Sequence, residues 1–230
     1  METIELISLT LGVAWASGIN LYAAVLVLGY LGLTGHMELP PGLELLSDPL
    51  VLGAAGFMYM VEFFADKTPG VDTGWDILHT FIRIPAGAVL AAGMAEGIGV
   101  NEAAEFAALL IGGGVAAATH ATKTGTRALI NTSPEPVTNW TASILEDIAV
   151  VGGLWASLNY PIAFVAGLAL FFALVIWLLP KIWRALKRIA RAIGELFSGS
   201  KHEDNIPPPS SGRREEILQA LYHDASEKPK

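Results

Sequence analysis

Residues 66–87 read "DKTPGVDTGWDILHTFIRIPAG", with apolar sequence on both sides. This one stretch carries three aspartates, a lysine, a histidine and an arginine. So many ionisable groups between two hydrophobic segments suit a polar connection between membrane spans, continuing into the spans themselves. The rest of the chain decides whether that reading is right.

The chain is 53% hydrophobic and only 16% charged, with 24 glycines among its 230 residues. A soluble domain needs about a quarter of its residues charged to cover its surface. The shortfall and the long uncharged runs indicate an integral membrane protein. The chain has no cysteine, which excludes disulfides, thiolate nucleophiles and iron–sulfur clusters. The N-terminus lacks the basic region of a signal peptide and is expected to be retained.

Six spans follow from the hydrophobic runs: about 4–33, 49–66, 75–96, 103–130, 140–158 and 162–179. The fold class is therefore all-α, a polytopic membrane protein with six transmembrane helices. The first span contains "ASGIN" (Ala16 to Asn20) and the fourth "ATHATKTGT" (Ala118 to Thr126), and both stretches are expected to break their helices. Pro85 is expected to kink the third. Of the 14 Lys and Arg residues, only Lys67, Arg83, Lys123 and Arg127 precede Lys181. Loops 34–48, 97–102 and 159–161 contain none, so the positive-inside rule places both termini in the cytoplasm.

The domain organisation expected is a six-span domain (1–180), a basic amphipathic interfacial helix (181–197) and a disordered cytoplasmic tail (198–230). In the interfacial helix Ile182, Leu186, Ile189, Ile193 and Leu196 share one face. Lys181, Arg184, Lys187, Arg188 and Arg191 surround it and would meet anionic membrane lipid.

This topology puts the ionisable groups in the cytoplasmic half of the bilayer. Asp76, His79 and Arg83 are spaced i, i+3, i+7 and share a helix face, as do His120, Lys123 and Arg127. Glu62 lies one turn inside the second span, and Glu146 and Asp147 about 10 Å inside the fifth. The outer halves of the spans carry no charge. Charges at such depth cost at least ~2.5–3.5 kcal/mol each unless they pair or reach water. The expectation is a vestibule open to the cytoplasm, closed outside by helices packed on Gly53, Gly56, Gly87, Gly93, Gly112, Gly113, Gly114, Gly152 and Gly153. Glu62, Asp76, His79, Arg83, His120, Lys123, Glu146, Asp147 and Asn20 are the candidate pathway residues. Asp66, Lys67 and Arg127 are assigned instead to structural pairing or snorkelling at the interface.

Two self-alignments compete. One matches 66–75 with 131–140 through Pro69/Pro134, Thr73/Thr138 and Trp75/Trp140. The other matches 12–26 with 114–128 and would make two inverted three-helix repeats with broken helices 1 and 4. The inverted version is preferred, because broken helices in corresponding positions mark transport sites. Asp72 or Thr73, and Thr138 or Asn139, are the expected N-caps of spans three and five.

At "ASGINLYAAVLVLG", "LPPGLELLSDP", "VEFFADKTPGVDTGWDILHTFIRIPAG" and "TKTGTRALINTSPEP" the chain resembles a bacterial membrane-protein family known as domain of unknown function 4126. The resemblance covers roughly residues 5–180 and is most specific over 62–87. It implies a multi-span bacterial membrane protein and no substrate; the expected location is the bacterial cytoplasmic (inner) membrane.

The leading functional expectation is a small transporter or channel for a small polar or ionic solute. The alternative is a non-transporting protein that binds lipid or scaffolds a partner through 181–197. An enzyme is disfavoured, since neither G-x-S-x-G nor H-E-x-x-H occurs. A metal site from Glu62, Asp66, Asp72, Asp76, His79 and His120 would have only generic spacing. No cofactor and no nucleic-acid partner is expected, and a homo-oligomer is left open.

Overall fold

The computed structural model describes residues 3–68, 70–97, 99–132, 136–197 and 211–226. All regular structure among them is helical. Helix α1 (Thr3–Leu33) is followed by a 3-10 helix (Pro41–Ser47) and α2 (Pro49–Ala65). Next come α3 (Val71–Glu96), α4 (Glu102–Ile130), α5 (Pro136–Asn159) and α6 (Pro161–Phe197), and α7 spans Ser211–Ser226. Five helices are long and apolar enough to cross a membrane. A sixth span requires the 3-10 helix and α2 together, bent by 67°. The 17 residues of α2 explain this. At 1.5 Å per residue they reach about 26 Å, short of a ~30 Å hydrocarbon core.

The helices start where local chemistry dictates. Asp48 accepts a hydrogen bond from Leu50 N at 2.7 Å, with Pro49 in the first turn of α2. Asn101 caps α4 through Ala104 N at 2.9 Å. The caps expected for α3 and α5 differ. The chain enters α3 at Gly70, whose φ of 85° suits glycine, and Asp72 lies inside the first turn. From there its carboxylate accepts from Gly70 N at 3.0 Å and Thr73 N at 2.6 Å. Helix α5 begins at Pro136, so Thr138 and Asn139 are already helical.

Helix α1 is the hub and packs on α2, α3, α4 and α5. Its Leu9, Val13, Ala16 and Leu28 join Leu43, Leu90, Met94, Val150 and Leu154 in one core. Helices α3 and α4 make the most extensive pair. Small residues permit it: a Cβ on Gly87 would stand 2.5 Å from Ala116 Cβ, and one on Gly112 would collide with Ala91. Of the glycines expected at such contacts, Gly93 and Gly153 are also close-packed. Gly53, Gly114 and Gly152 instead face open space. Helix α6 stands off from the bundle, touching α1 through Phe164 and Phe171 on Trp15.

The break expected in α1 is present. Asn20 leaves the helical region, with φ −147° and ψ 99°. The break expected in α4 is absent, since the helix runs continuously from Glu102 to Ile130. Thr119 and Thr122 donate to the carbonyls of Val115 and Ala118, both at 2.8 Å, so their hydroxyls are satisfied inside the helix without a break. The matched pair of broken spans that favoured an inverted repeat thus loses one member. In the rival alignment Pro69 and Pro134 lie outside the described residues.

Residues 181–197 continue α6 through Pro180 without a break. The contacts divide the chain into units 1–188 and 189–230. Within the second unit, where a structureless tail is expected, Ser211–Ser226 form α7. Residues 198–210 and 227–230 lie outside the described residues.

Candidate functional site

The break in α1 organises the site. Asn20 sits in extended backbone and its side-chain oxygen accepts from Ala23 N at 3.0 Å, so it is the N-cap of the helix's second half. Ile19 O thereby becomes a helix C-terminal carbonyl without an intrahelical partner, and Lys123 Nζ donates to it at 3.1 Å. Asn20 Nδ2 donates to Asp147 Oδ1 at 3.1 Å. The negative end of one half-helix thus meets a cation, and the positive end of the other meets an acid. Both placements complement the helix dipole.

Around this break α2, α3, α4 and α5 deliver a buried charge network. Arg83 lies at its centre, fully buried, with its guanidinium 2.6 Å from Glu62 Oε1 and 2.9 Å from Asp76 Oδ1. Lys123 Nζ is 2.9 Å from Asp66, 3.4 Å from Glu62, 3.5 Å from Glu146 and 3.7 Å from Asp76. Arg127 grips Glu146 with two bonds, of 3.1 and 2.7 Å, and donates to the backbone oxygens of Asp66 and Asn139. Fork-to-fork pairing of this kind suits arginine. His120 Nδ1 faces Arg83 at 3.2 Å, and its Nε2 lies 2.8 Å from Thr80 Oγ1 and 3.0 Å from Asp76 O.

The structure thus brings Glu62, Asp76, Arg83, His120, Lys123 and Glu146 into one cluster, with Asn20 and Asp147 at its edge. His79 sits beside it. Its Nε2 is 3.0 Å from Tyr22 Oη and its Nδ1 2.9 Å from Trp75 O, with the ring stacked on Trp75. A carbonyl only accepts, so Nδ1 carries a proton and, in a neutral ring, Tyr22 donates to Nε2.

Two expectations change. Asp66, placed at the inner interface, and Arg127, assigned to structural pairing, are 3% and 0% exposed; both do pair, but as members of the candidate network itself. Lys67 does not snorkel; it is buried, with Nζ 2.9 Å from the centre of the Phe63 ring and 3.2 Å from Ser143 Oγ. Asn131, which the sequence reading passed over, and Asn139, which it read only as a helix cap, complete the shell. Asn131 donates to both oxygens of Asp72, at 2.7 and 2.9 Å, and accepts from Asn139 at 3.0 Å. The polar run "NTSPEPVTNW" was the available signal for these two asparagines.

The expected water-open vestibule is also corrected. Glu62, Asp76, Arg83 and Arg127 have no exposed side-chain surface, and Glu146, at 20%, is the most open member. The charges pack on one another because multiple pairing lowers the cost of keeping them dry. The pairing leaves a remainder. Glu62 Oε2, Asp66 Oδ1, Asp76 Oδ2 and Arg83 Nε are buried without a hydrogen-bond partner. Six carboxylates (Glu62, Asp66, Asp72, Asp76, Glu146, Asp147) surround four bases (Lys67, Arg83, Lys123, Arg127). Among the described residues no three His, Asp or Glu side chains are grouped to hold a metal ion.

The bundle holds two notable cavities, of which one borders the site. One of about 540 Å³ is lined by Leu6, His36 to Pro41, Gly97 and Leu158, at the opposite end of the bundle. The other, about 850 Å³, lies between α3, α4 and α6 and reaches His120 alone among the candidate residues.

No curated protein and no solved structure matches the chain. The sequence model of one family, described as domain of unknown function 4126, matches residues 7–181. That interval holds all of the network described above, and the chain, with five helices long and apolar enough to cross a membrane, belongs to this family.

Proposed function

We propose that the protein is a small transporter or channel of the bacterial inner membrane, moving a small polar or ionic solute through the buried network in steps that include protonation. Both termini lie in the cytoplasm in this reading, supported by the location of Lys67, Lys123, Arg127 and the basic stretch after Pro180. The arrangement described above is a closed state. The observation that carries the proposal is the surplus of buried carboxylates around Arg83 and Lys123. A bundle needs no such group to hold together, since apolar packing of the same volume is as stabilising or more so. Carboxylate oxygens left without partners are where a proton or cationic group can be accepted. The broken α1, with both half-helix ends committed to charged groups of the network, supplies an element that can change its pairing.

A second reading is favoured by the complete pairing of Arg127. There the charges only lock the bundle, and the protein binds lipid or a partner through the basic end of α6. Reconstitution into liposomes carrying a pH-sensitive dye separates the two. Under an imposed pH gradient the transport reading expects protein-dependent proton movement that falls at least about tenfold, some 1.4 kcal/mol in barrier, in Glu62→Gln. Deleting residues 189–230 leaves that movement intact. Vesicles no leakier than empty ones, across gradients of protons, alkali cations and small carboxylates, favour the second reading.

A further inference from the structure

We propose that the cavity between α3, α4 and α6 is a lipid site, holding one acyl chain of an anionic phospholipid with its headgroup on the basic surface of α6. The cavity measures about 850 Å³, the size of a ligand pocket. Ala117, Ala121 and Gly125 form its floor at i, i+4, i+8 on α4, Ile84 its α3 wall, and Ile182 and Leu186 its α6 wall. It exists because α6 stands off from α4, with Ile182 packed over Gly125 at the cavity. Of the polar side chains in its lining, His120 and Thr80 bond to each other at 2.8 Å and Thr124 Oγ1 is left without a partner; the other walls are apolar.

The occupant follows from the surroundings. Its rim includes exposed Leu179 and Trp183, a surface suited to lipid rather than water. An empty apolar slot in that surface forfeits dispersion contacts that a hydrocarbon chain restores. Beyond the rim Lys181, Arg184, Lys187 and Arg188 are exposed, and α6 has no acidic residue before Glu195. Lys181 Nζ lies 2.9 Å from the centre of the Trp177 ring and Lys187 Nζ 5.1 Å from that of Trp183, the aromatic–basic pairing of a headgroup zone. Charge complementarity therefore selects a phosphate bearing net negative charge over a zwitterionic one. The inference needs only that the bundle sits in a bilayer; it stands or falls independently of transport.

The test uses the full chain and dioleoyl phosphatidylglycerol carrying a diazirine on one acyl chain. After photolysis, adducts are expected to concentrate on residues 117–128 and 179–186. Unlabelled phosphatidylglycerol should displace them about tenfold better than phosphatidylcholine, the equivalent of one to two basic contacts. Ala121→Phe, which fills the slot without touching the charge network, should abolish labelling there. The competition measured on the unmodified chain decides the matter even if that variant misfolds. Equal competition by the two lipids overturns the proposal. So does labelling spread evenly to the exposed Phe57 and Phe106 faces, or protection of the slot by a cross-linkable second copy of the chain.

Discussion

Replacing Arg83 by methionine probes the network at its most connected point. The guanidinium spans Glu62 and Asp76 at 2.6 and 2.9 Å, and all three side chains have zero exposure, so solvent does not screen the loss. Breaking a buried pair by removing one partner costs about 3–5 kcal/mol, because a charge is left uncompensated. Here two carboxylates are left. Lys123 already lies 3.4 Å from Glu62 and 3.7 Å from Asp76, and can absorb part of the penalty. That places R83M near the lower end, about 3 kcal/mol. Glu62→Gln alone, which deprives both Arg83 and Lys123 of a partner, should cost about 2 kcal/mol. The double variant removes one of the two charges that R83M strands, leaving Asp76 with Lys123 at 3.7 Å. It should therefore cost about 3 kcal/mol in place of the additive 5, a coupling of about 2 kcal/mol. Reversible unfolding in mixed micelles, followed by tryptophan fluorescence, measures all four proteins. A loss below about 1 kcal/mol for R83M, or single effects that simply add, would refute the reasoning.

Other outcomes follow from particular contacts. Asn20→Ala removes the cap of the second half of α1 and should lower stability by about 1 kcal/mol, whereas Asn20→Ser should retain most of it. Equal unfolding midpoints for the two would mean that the cap contributes nothing. Gly87→Val forces a side chain into Ala116 and should cost about 1–3 kcal/mol or more, while Gly114→Val meets open space and should be close to neutral. The same micelle titration checks that contrast. Lys67→Met should cost about 0.5–2 kcal/mol through its contact with the Phe63 ring, an effect a solvated snorkelling lysine would not show.

Much of this was legible in the sequence because hydrophobic runs report membrane spans directly, and helix boundaries fell within a few residues of them except at the end of α6, which runs on through Pro180 to Phe197. The candidate pathway residues were legible for a related reason. In an apolar chain an ionisable residue at depth stands out, and those on four helices do meet. What escaped is set by tertiary pairing. Asp66, Lys67 and Arg127 lie near helix ends, where depth along the span suggests an interface, yet partners on other helices hold them inside. The "ASGIN" and "ATHATKTGT" stretches look equally able to break a helix. Only the first does, because Asn20 can cap a new helix while the threonines of the second bond back to their own turn. The vestibule was inferred from the cost of burying charge. The structure meets that cost by pairing several groups with each cation, which no single-residue scale expresses.

The most direct measurement of whether this dry network opens is thiol accessibility, made clean by the absence of native cysteine. Ser143 beside Lys67 and Ser157 near the other end of α5 are 1% and 0% exposed, so a static bundle shields both alike. With single Ser143→Cys and Ser157→Cys variants in sealed inside-out vesicles, a membrane-impermeant maleimide should label position 143 from the cytoplasmic face while leaving 157 unreacted. Labelling at neither position, or at both at the same rate, contradicts a pathway that opens through these residues.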